Sequence, residues 1–319
     1  MGLQNLTDNV ADGVPSFPMS AFPVVPEKTA SPSAWLLAVR PKTLPAAISP
    51  VLVGCAVAWA ERGFHLIVAL AAFAVALLLQ IGANLANDVA DFRRGADSVD
   101  RLGPVRVTQS GLIAPRNVAI ATGVVLALAA VPGLFLVWRG GPVFAALGLL
   151  AIVAAVTYTA GPKPFGYLGL GEIFVFLFFG PVAVVGTAYV MTHVPTPIAT
   201  IASIPMGCLV TAILVVNNLR DIDTDRKAGK RTLAVRIGKD ASRWEFAALL
   251  AIAYATPVLM WLSGLAGPWS LLAWATAPLA VSLVRHVWTT SGRGLNSVLA
   301  GTARLCLMFA LAFSLGIVL

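Results

Sequence analysis

The sequence predicts an all-α polytopic membrane protein with about nine transmembrane helices, on three observations. The 319 residues are 58% hydrophobic and only 11% charged, and the mean hydropathy is +0.86, which excludes an ordinary soluble enzyme. Apolar runs of roughly 20 residues recur along the chain, each long enough to cross ~30 Å of hydrocarbon. When the loops between them are assigned alternately to two sides, 19 of the 22 Lys and Arg residues fall on one side. The other side holds only Arg62 and Arg139, and Arg304 lies inside the last run. This asymmetry predicts a cytoplasmic N-terminus and an external C-terminus in the cell membrane. It also accounts for the net charge of +8 without a nucleic-acid partner.

Residues 1–33, rich in Pro, Ser and Thr, read as a disordered cytoplasmic tail, with no signal-peptide pattern. Residues 34–319 read as one transmembrane domain. Its apolar segments are 45–61, 66–90, 117–138, 142–159, 168–191, 197–220, 245–264, 267–288 and 296–318. The first follows Arg-Pro-Lys42, a basic membrane edge whose plain reading is headgroup anchoring. The second carries a polar stripe: Gln80, Asn84, Asn87 or Asp88, and Asp91. The short 139–142 and 264–268 connections contain Gly or Pro and predict tight turns on the outer side. The fifth segment opens near Glu172, where an acid favours a helix start, and its Phe174, Phe176, Phe178 and Phe179 read chiefly as packing or lipid-facing. The loops at 92–116 and 222–244 are polar and basic and predict caps over the cytoplasmic mouth. Cys55, Cys208 and Cys306 are spread one per segment, which predicts packing rather than a disulfide or zinc site. His65, His193 and His286 have no metal spacing.

Function concentrates in two clusters, 87–97 and 217–232. They and Asp100 just beyond the first hold seven of the 14 acidic residues. Asn87-x-x-x-Asp91 recurs as Asn217-x-x-x-Asp221, each ending an even-numbered helix on the cytoplasmic side. A parallel duplication of four helices would set the two opposite each other across a cavity. Residues four apart lie ~40° from each other around a helix, so Asn87 and Asp91 share a face, as do Asn217, Asp221 and Asp225. Carboxylate and amide oxygens suit Mg²⁺, which commonly bridges carboxylates to substrate phosphates. Lys42, Arg94, Arg106, Lys163, Arg226, Lys227, Lys230 and Arg231 stand around them, the equipment for a diphosphate. At a bilayer surface this points to a lipid diphosphate whose leaving charge is stabilised while an electron-rich acceptor attacks the allylic carbon. The plainer readings are loop-end salt bridges for the acids, helix-bridging hydrogen bonds for Asn84 and Gln80, and solvation for the basic run.

The first cluster resembles the N-D-x-x-D motif of the UbiA superfamily of intramembrane prenyltransferases, and Asp221 and Asp225 resemble its D-x-x-x-D motif. RPKTLPAAISPVLVG at 40–54, DRLGPVRVTQSGL at 100–112, YTAGPKPFGYLGLGE at 158–172, FFGPVAVVGT at 178–187 and NNLRDIDTDRKAGKRTLAVRIG at 217–238 are similar to one branch, the 1,4-dihydroxy-2-naphthoate polyprenyltransferases of menaquinone synthesis. The resemblance implies nine helices around a central cavity open laterally to lipid. It implies Mg²⁺ held through Asn87, Asp91, Asp221 and Asp225, with Asp88 and Asp97 nearby, and catalysis by Asp91, Asp221, Asp225 and Lys163. Asn84, Lys42, Arg106, Tyr158, Lys163, Arg226 and Lys230 are the implied substrate contacts. Tyr158 and Lys163 stand one residue further apart than the Y-x-x-x-K of other branches. The implied substrates are a polyprenyl diphosphate and 1,4-dihydroxy-2-naphthoate; the products are demethylmenaquinone, CO₂ and diphosphate. The competing functions are a superfamily member with another acceptor, such as 4-hydroxybenzoate, and a secondary transporter. Transporter sites usually lie nearer the midplane, and the D-G-x-x-A-R run of a CDP-alcohol phosphotransferase is absent.

Overall fold

A computed structural model describes residues 31–95, 102–161 and 164–319. Its helices are α1 (Pro32–Val39), α2 (Leu44–Ala60), α3 (Leu66–Arg93), α4 (Pro115–Gly140), α5 (Pro142–Thr157), α6 (Gly171–Leu177), α7 (Ala183–Thr192), α8 (Pro197–Lys227), α9 (Leu233–Ile237), α10 (Lys239–Leu262), α11 (Ala277–Thr289) and α12 (Leu295–Val318). The described residues contain no strand. Eight helical stretches among them are long and apolar enough to cross a membrane, so the chain is a multi-pass membrane protein. The expected fourth span is the shorter apolar helix α5. Its 16 residues rise about 24 Å, less than the ~30 Å hydrocarbon core, so the count of nine is approximate.

Local chemistry sets the boundaries. Ser31 caps α1, accepting from the Ala34 amide, and Pro32 takes the first helical position, where a missing N–H costs nothing. The helix therefore starts within the segment expected to be tail. Thr196 caps α8 in the same way, ahead of Pro197. Between α6 and α7, Phe178–Val182 widens into a π-helical turn around Pro181. Proline has no amide hydrogen and crowds the carbonyl four residues back, and the wider turn relieves both.

The long helix α8 is the central post, with 78% of its most apolar stretch buried. Met206, Leu209, Ala212 and Val216 pack with Phe246, Leu250 and Ala253 of α10 and Leu305, Phe309 and Phe313 of α12. A second cluster joins α2, α3, α4 and α7 through Val51, Val68, Ala72, Leu136 and Val190. By contrast α4 is only 11% buried over its apolar stretch, which makes it a lipid-facing outer helix. Cys55, Cys208 and Cys306 are buried free thiols, as expected of packing residues.

Gly316 shows how closely the helices approach. A Cβ there would stand 2.1 Å from the Trp269 carbonyl oxygen, a backbone atom that cannot rotate away. Small residues at helix crossings permit this contact. Gly316→Ala is expected to destabilise the protein by about 1–3 kcal/mol through overpacking. Thermal unfolding in detergent would measure it, and an unchanged midpoint would mean that the α12 crossing yields freely.

Candidate active site

The C-terminal ends of α3 and α8 meet through one ammonium group. Lys230 Nζ lies 3.6 Å from Asp91 Oδ1 and 3.6 Å from Asp225 Oδ1. Asp91 is buried, and Arg106 donates to its Oδ2 at 2.6 Å. The Tyr167 hydroxyl donates to its Oδ1 at 2.6 Å. Both carboxylates sit at helix ends whose backbone carbonyls also favour a cation. Loop residues thus clamp the two motif helices, and a positive charge occupies the gap between their acids.

The remaining expected residues divide between this centre and its scaffold. Asn87 faces Thr159, whose hydroxyl donates to its Oδ1 at 2.7 Å. Asp88, expected beside a metal, instead anchors the following loop. It accepts from the amides of Val107 at 3.2 Å and Thr108 at 3.1 Å and from the Thr108 hydroxyl. Three residues before Asp91, it is turned ~60° around α3, toward the loop. Asn84, expected at the substrate, donates to the Val39 carbonyl at 2.9 Å and to Thr43 Oγ1 at 3.0 Å. It pins the break between α1 and α2, which is the helix-bridging role. Arg220 holds both carboxylate oxygens of Asp221, with Nε at 2.8 Å and Nη2 at 2.5 Å. Among the described residues, no three His, Cys, Asp or Glu side chains group as metal ligands. Asp91 and Asp225 are the two that face each other. Lys42 and Arg226 are exposed at the rim. Asp97 and Lys163 lie outside the described residues, as does most of the expected tail.

Tyr158 packs edge-on against Phe165, with ring centroids 5.3 Å apart. Phe165 stacks on Phe174 at 4.2 Å, and Phe174 on Phe178 at 6.4 Å. An aromatic series thus runs from the acidic centre down α6. Burial first, and Asp91 next, push the Tyr167 hydroxyl well above its ordinary pKa, so it remains a neutral O–H donor at physiological pH.

Sequence reasoning assigned no role to Tyr167. Besides reaching Asp91, its ring lies 4.6 Å from Lys230 Nζ and 5.3 Å from the Arg94 guanidinium carbon, and its carbonyl accepts from the Arg231 amide at 2.9 Å. It ties the loop after α5 to both acidic motifs. The only signal was its place in the quoted 158–172 stretch, as a ring with a polar tip in a Gly/Pro-rich loop. Tyr167→Phe removes one hydrogen bond to a charged group, worth about 1.5–3 kcal/mol. It is expected to lower kcat/KM by about 10- to 100-fold with the fold retained, as steady-state kinetics would show. Wild-type kinetics would mean that the hydroxyl does not order Asp91. The pair Glu172 and Asn218 was also missed as a pair: Asn218 Nδ2 donates to Glu172 Oε1 at 2.8 Å, and both are buried.

The sequence pattern of the UbiA prenyltransferase family matches residues 47–313. The chain is 44% identical over 288 residues to a 1,4-dihydroxy-2-naphthoate octaprenyltransferase of Mycobacterium tuberculosis, covering 89% of this chain and 96% of that one. It is 40% identical over 293 residues to the enzyme of that name from Escherichia coli, covering 90% and 95%. Among solved structures, a UbiA homolog from Archaeoglobus fulgidus bound to GPP and Mg²⁺ superposes with a TM-score of 0.60 at 17% identity, covering 89% of this chain and 99% of that one. At that identity the likeness carries the fold alone.

Proposed function

The chain belongs to the UbiA prenyltransferase family, and we propose that it transfers a polyprenyl group from its diphosphate to 1,4-dihydroxy-2-naphthoate. The products are demethylmenaquinol (the quinol from which the quinone forms on later oxidation), CO₂ and diphosphate. The observation that carries the reading is the pairing of Asp91 and Asp225 around a cation where two motif helices end. The relatives' names supply the acceptor class.

The residues present fit Mg²⁺. Asp91 and Asp225 offer hard oxygen donors, and the Lys230 ammonium between them supports the reading of the gap as a place for positive charge. Asn87 and Asp221 stand next in line, one on each helix. Bound there, Mg²⁺ would offset the charge that develops on the departing diphosphate. Lys230, beside both acids, and Arg226 at the rim would offer their charges to the phosphate oxygens. Arg106 holds Asp91 in place from the buried side. Lys42 at the rim would add a further positive charge for the diphosphate or the acceptor carboxylate, and the family resemblance gives Lys163 the same part. The aromatic series of Tyr158, Phe165, Phe174 and Phe178 would supply π density to the cationic allylic carbon. The acceptor ring attacks at the carbon bearing its carboxylate, and loss of CO₂ restores aromaticity. The site faces the cytoplasm at the plasma membrane, with the N-terminal tail inside, the C-terminus outside and residues 34–319 as one catalytic domain.

Purified protein in detergent, given a polyprenyl diphosphate and either 1,4-dihydroxy-2-naphthoate or 4-hydroxybenzoate, tests the reading. Prenylated naphthoquinol and CO₂ are expected, lost with EDTA and restored by Mg²⁺. Product from 4-hydroxybenzoate alone would overturn the acceptor. Folded protein with no product from either would overturn prenyl transfer to both.

A further inference from the structure

Glu172 is a buried carboxyl outside the Asp91–Asp225 centre, 6% exposed, at the first turn of α6. Its Oε1 accepts from Asn218. Among the described residues its Oε2 has no hydrogen-bond partner and is shut off from solvent. A buried, unsatisfied acceptor costs about 1–3 kcal/mol, more when charged, so a donor that arrives with a ligand removes a standing penalty.

The position of the orphan oxygen identifies that donor. Asn218 and Asp225 are seven residues apart on α8, so they lie within ~20° around the axis and ~10 Å along it. Glu172, held by Asn218, therefore lies two turns deeper in the membrane than Asp225, on the same face. Tyr158 borders this level: a Cβ on Gly171, the neighbour of Glu172, would sit 3.2 Å from the Tyr158 hydroxyl. An aromatic acceptor reaching from the diphosphate level into the bundle would set a ring hydroxyl at this depth.

We propose that Glu172 Oε2 accepts the proton of the acceptor hydroxyl adjacent to the carboxylate-bearing carbon, and returns it in the same turnover. This rests on the prenyl-transfer reading above. As the O–H bond breaks, its electron pair forms the ring C=O. The ring carbon bearing the carboxylate bonds to the allylic carbon, and the allylic C–O bond breaks with its electrons leaving on diphosphate. The resulting β-keto acid loses CO₂, the released electron pair restores the aromatic ring, and the carbonyl oxygen takes the proton back from Glu172. The carboxyl ends as it began, and no oxidant or external base is consumed.

The test uses full-length protein in nanodiscs with Mg²⁺, geranylgeranyl diphosphate and 1,4-dihydroxy-2-naphthoate, comparing wild type, Glu172→Gln and Glu172→Asp. Glutamine keeps the Oε1 bond to Asn218 but cannot take the proton. Expected is a loss in kcat of about 100-fold or more, the usual scale of general-base catalysis, with the KM for the diphosphate within about twofold of wild type. Glu172→Asp, which retains a carboxylate, recovers part of the loss. The proposal is overturned if Glu172→Gln turns over within about threefold of wild type, or if aspartate does no better than glutamine. It is overturned too if Glu172→Gln no longer binds the diphosphate, because the residue would then be holding the fold or the other substrate. Failure of wild type to prenylate the naphthoate would instead remove the underlying reaction, a separate outcome read in the same assay.

Discussion

Asp225→Asn is expected to lower kcat/KM by about 10²–10³-fold or more, the scale seen when one electrostatic stabiliser of a developing anion is removed, while the protein still folds. Asparagine matches aspartate in shape, and Asp225 is half-buried with, among the described residues, one ion pair, to Lys230. Its replacement leaves Lys230 still paired with Asp91 and packed on the Tyr167 ring. Asp91→Asn is expected to be equally inactive but less stable. Asp91 is the buried counter-charge of the buried Arg106 at 2.6 Å, and removing one partner of such a pair costs about 3–5 kcal/mol. Activity, Mg²⁺ dependence and melting temperature should be measured for both variants. Wild-type turnover by Asp225→Asn would sink the assignment of the cation gap as the diphosphate centre. Equal stability of the two variants would sink the structural part of the argument for Asp91.

The gross fold was legible because hydropathy reports what contacts lipid. The expected start at 66 matches α3, and the expected start at 197 matches α8. The ends were read short: α8 continues from 220 to Lys227, because charges end an apolar run without ending a helix. The two acids that face each other, Asp91 and Asp225, were legible because each motif places one at the last turns of its helix. Their neighbours were not. Asp88 sits in the same motif but turns ~60° away, and only the fold reveals that the loop amides of Val107 and Thr108 wait there. Asn218 was hidden beside Asn217, since periodicity favoured the 217, 221, 225 stripe. In the structure Asn217 and Asp221 serve Arg220, and Asn218, nearer in angle to Asp225, meets Glu172 across 46 residues of sequence. No local pattern encodes such a pairing.

Arg220→Ala is expected to cost as much stability as Asp91→Asn, without touching the paired acids. Arg220 is buried, and its guanidinium serves three side chains on two helices. It donates to both oxygens of Asp221, to Asn217 Oδ1 at 2.8 Å and to Asn296 Oδ1 of α12 at 2.8 Å. Asn296 in turn donates to the Leu102 carbonyl at 2.8 Å, so α8, α12 and the loop after α3 are joined through one cation. Truncation leaves Asp221 without its countercharge and two amide oxygens without their donor, which places the cost at about 3–5 kcal/mol. Lysine should rescue little, because a single ammonium cannot reproduce the planar fork and the two further bonds. The double variant Arg220→Ala/Asp221→Ala decides what Asp221 is for. If Asp221 chiefly answers Arg220, the double variant melts above Arg220→Ala alone, because the stranded carboxylate is gone, and the cycle shows coupling of about 0.5–3 kcal/mol. If the two losses simply add, the bidentate pair contributes nothing to stability, and the role left for Asp221 is the proposed one of helping Asp225 hold Mg²⁺.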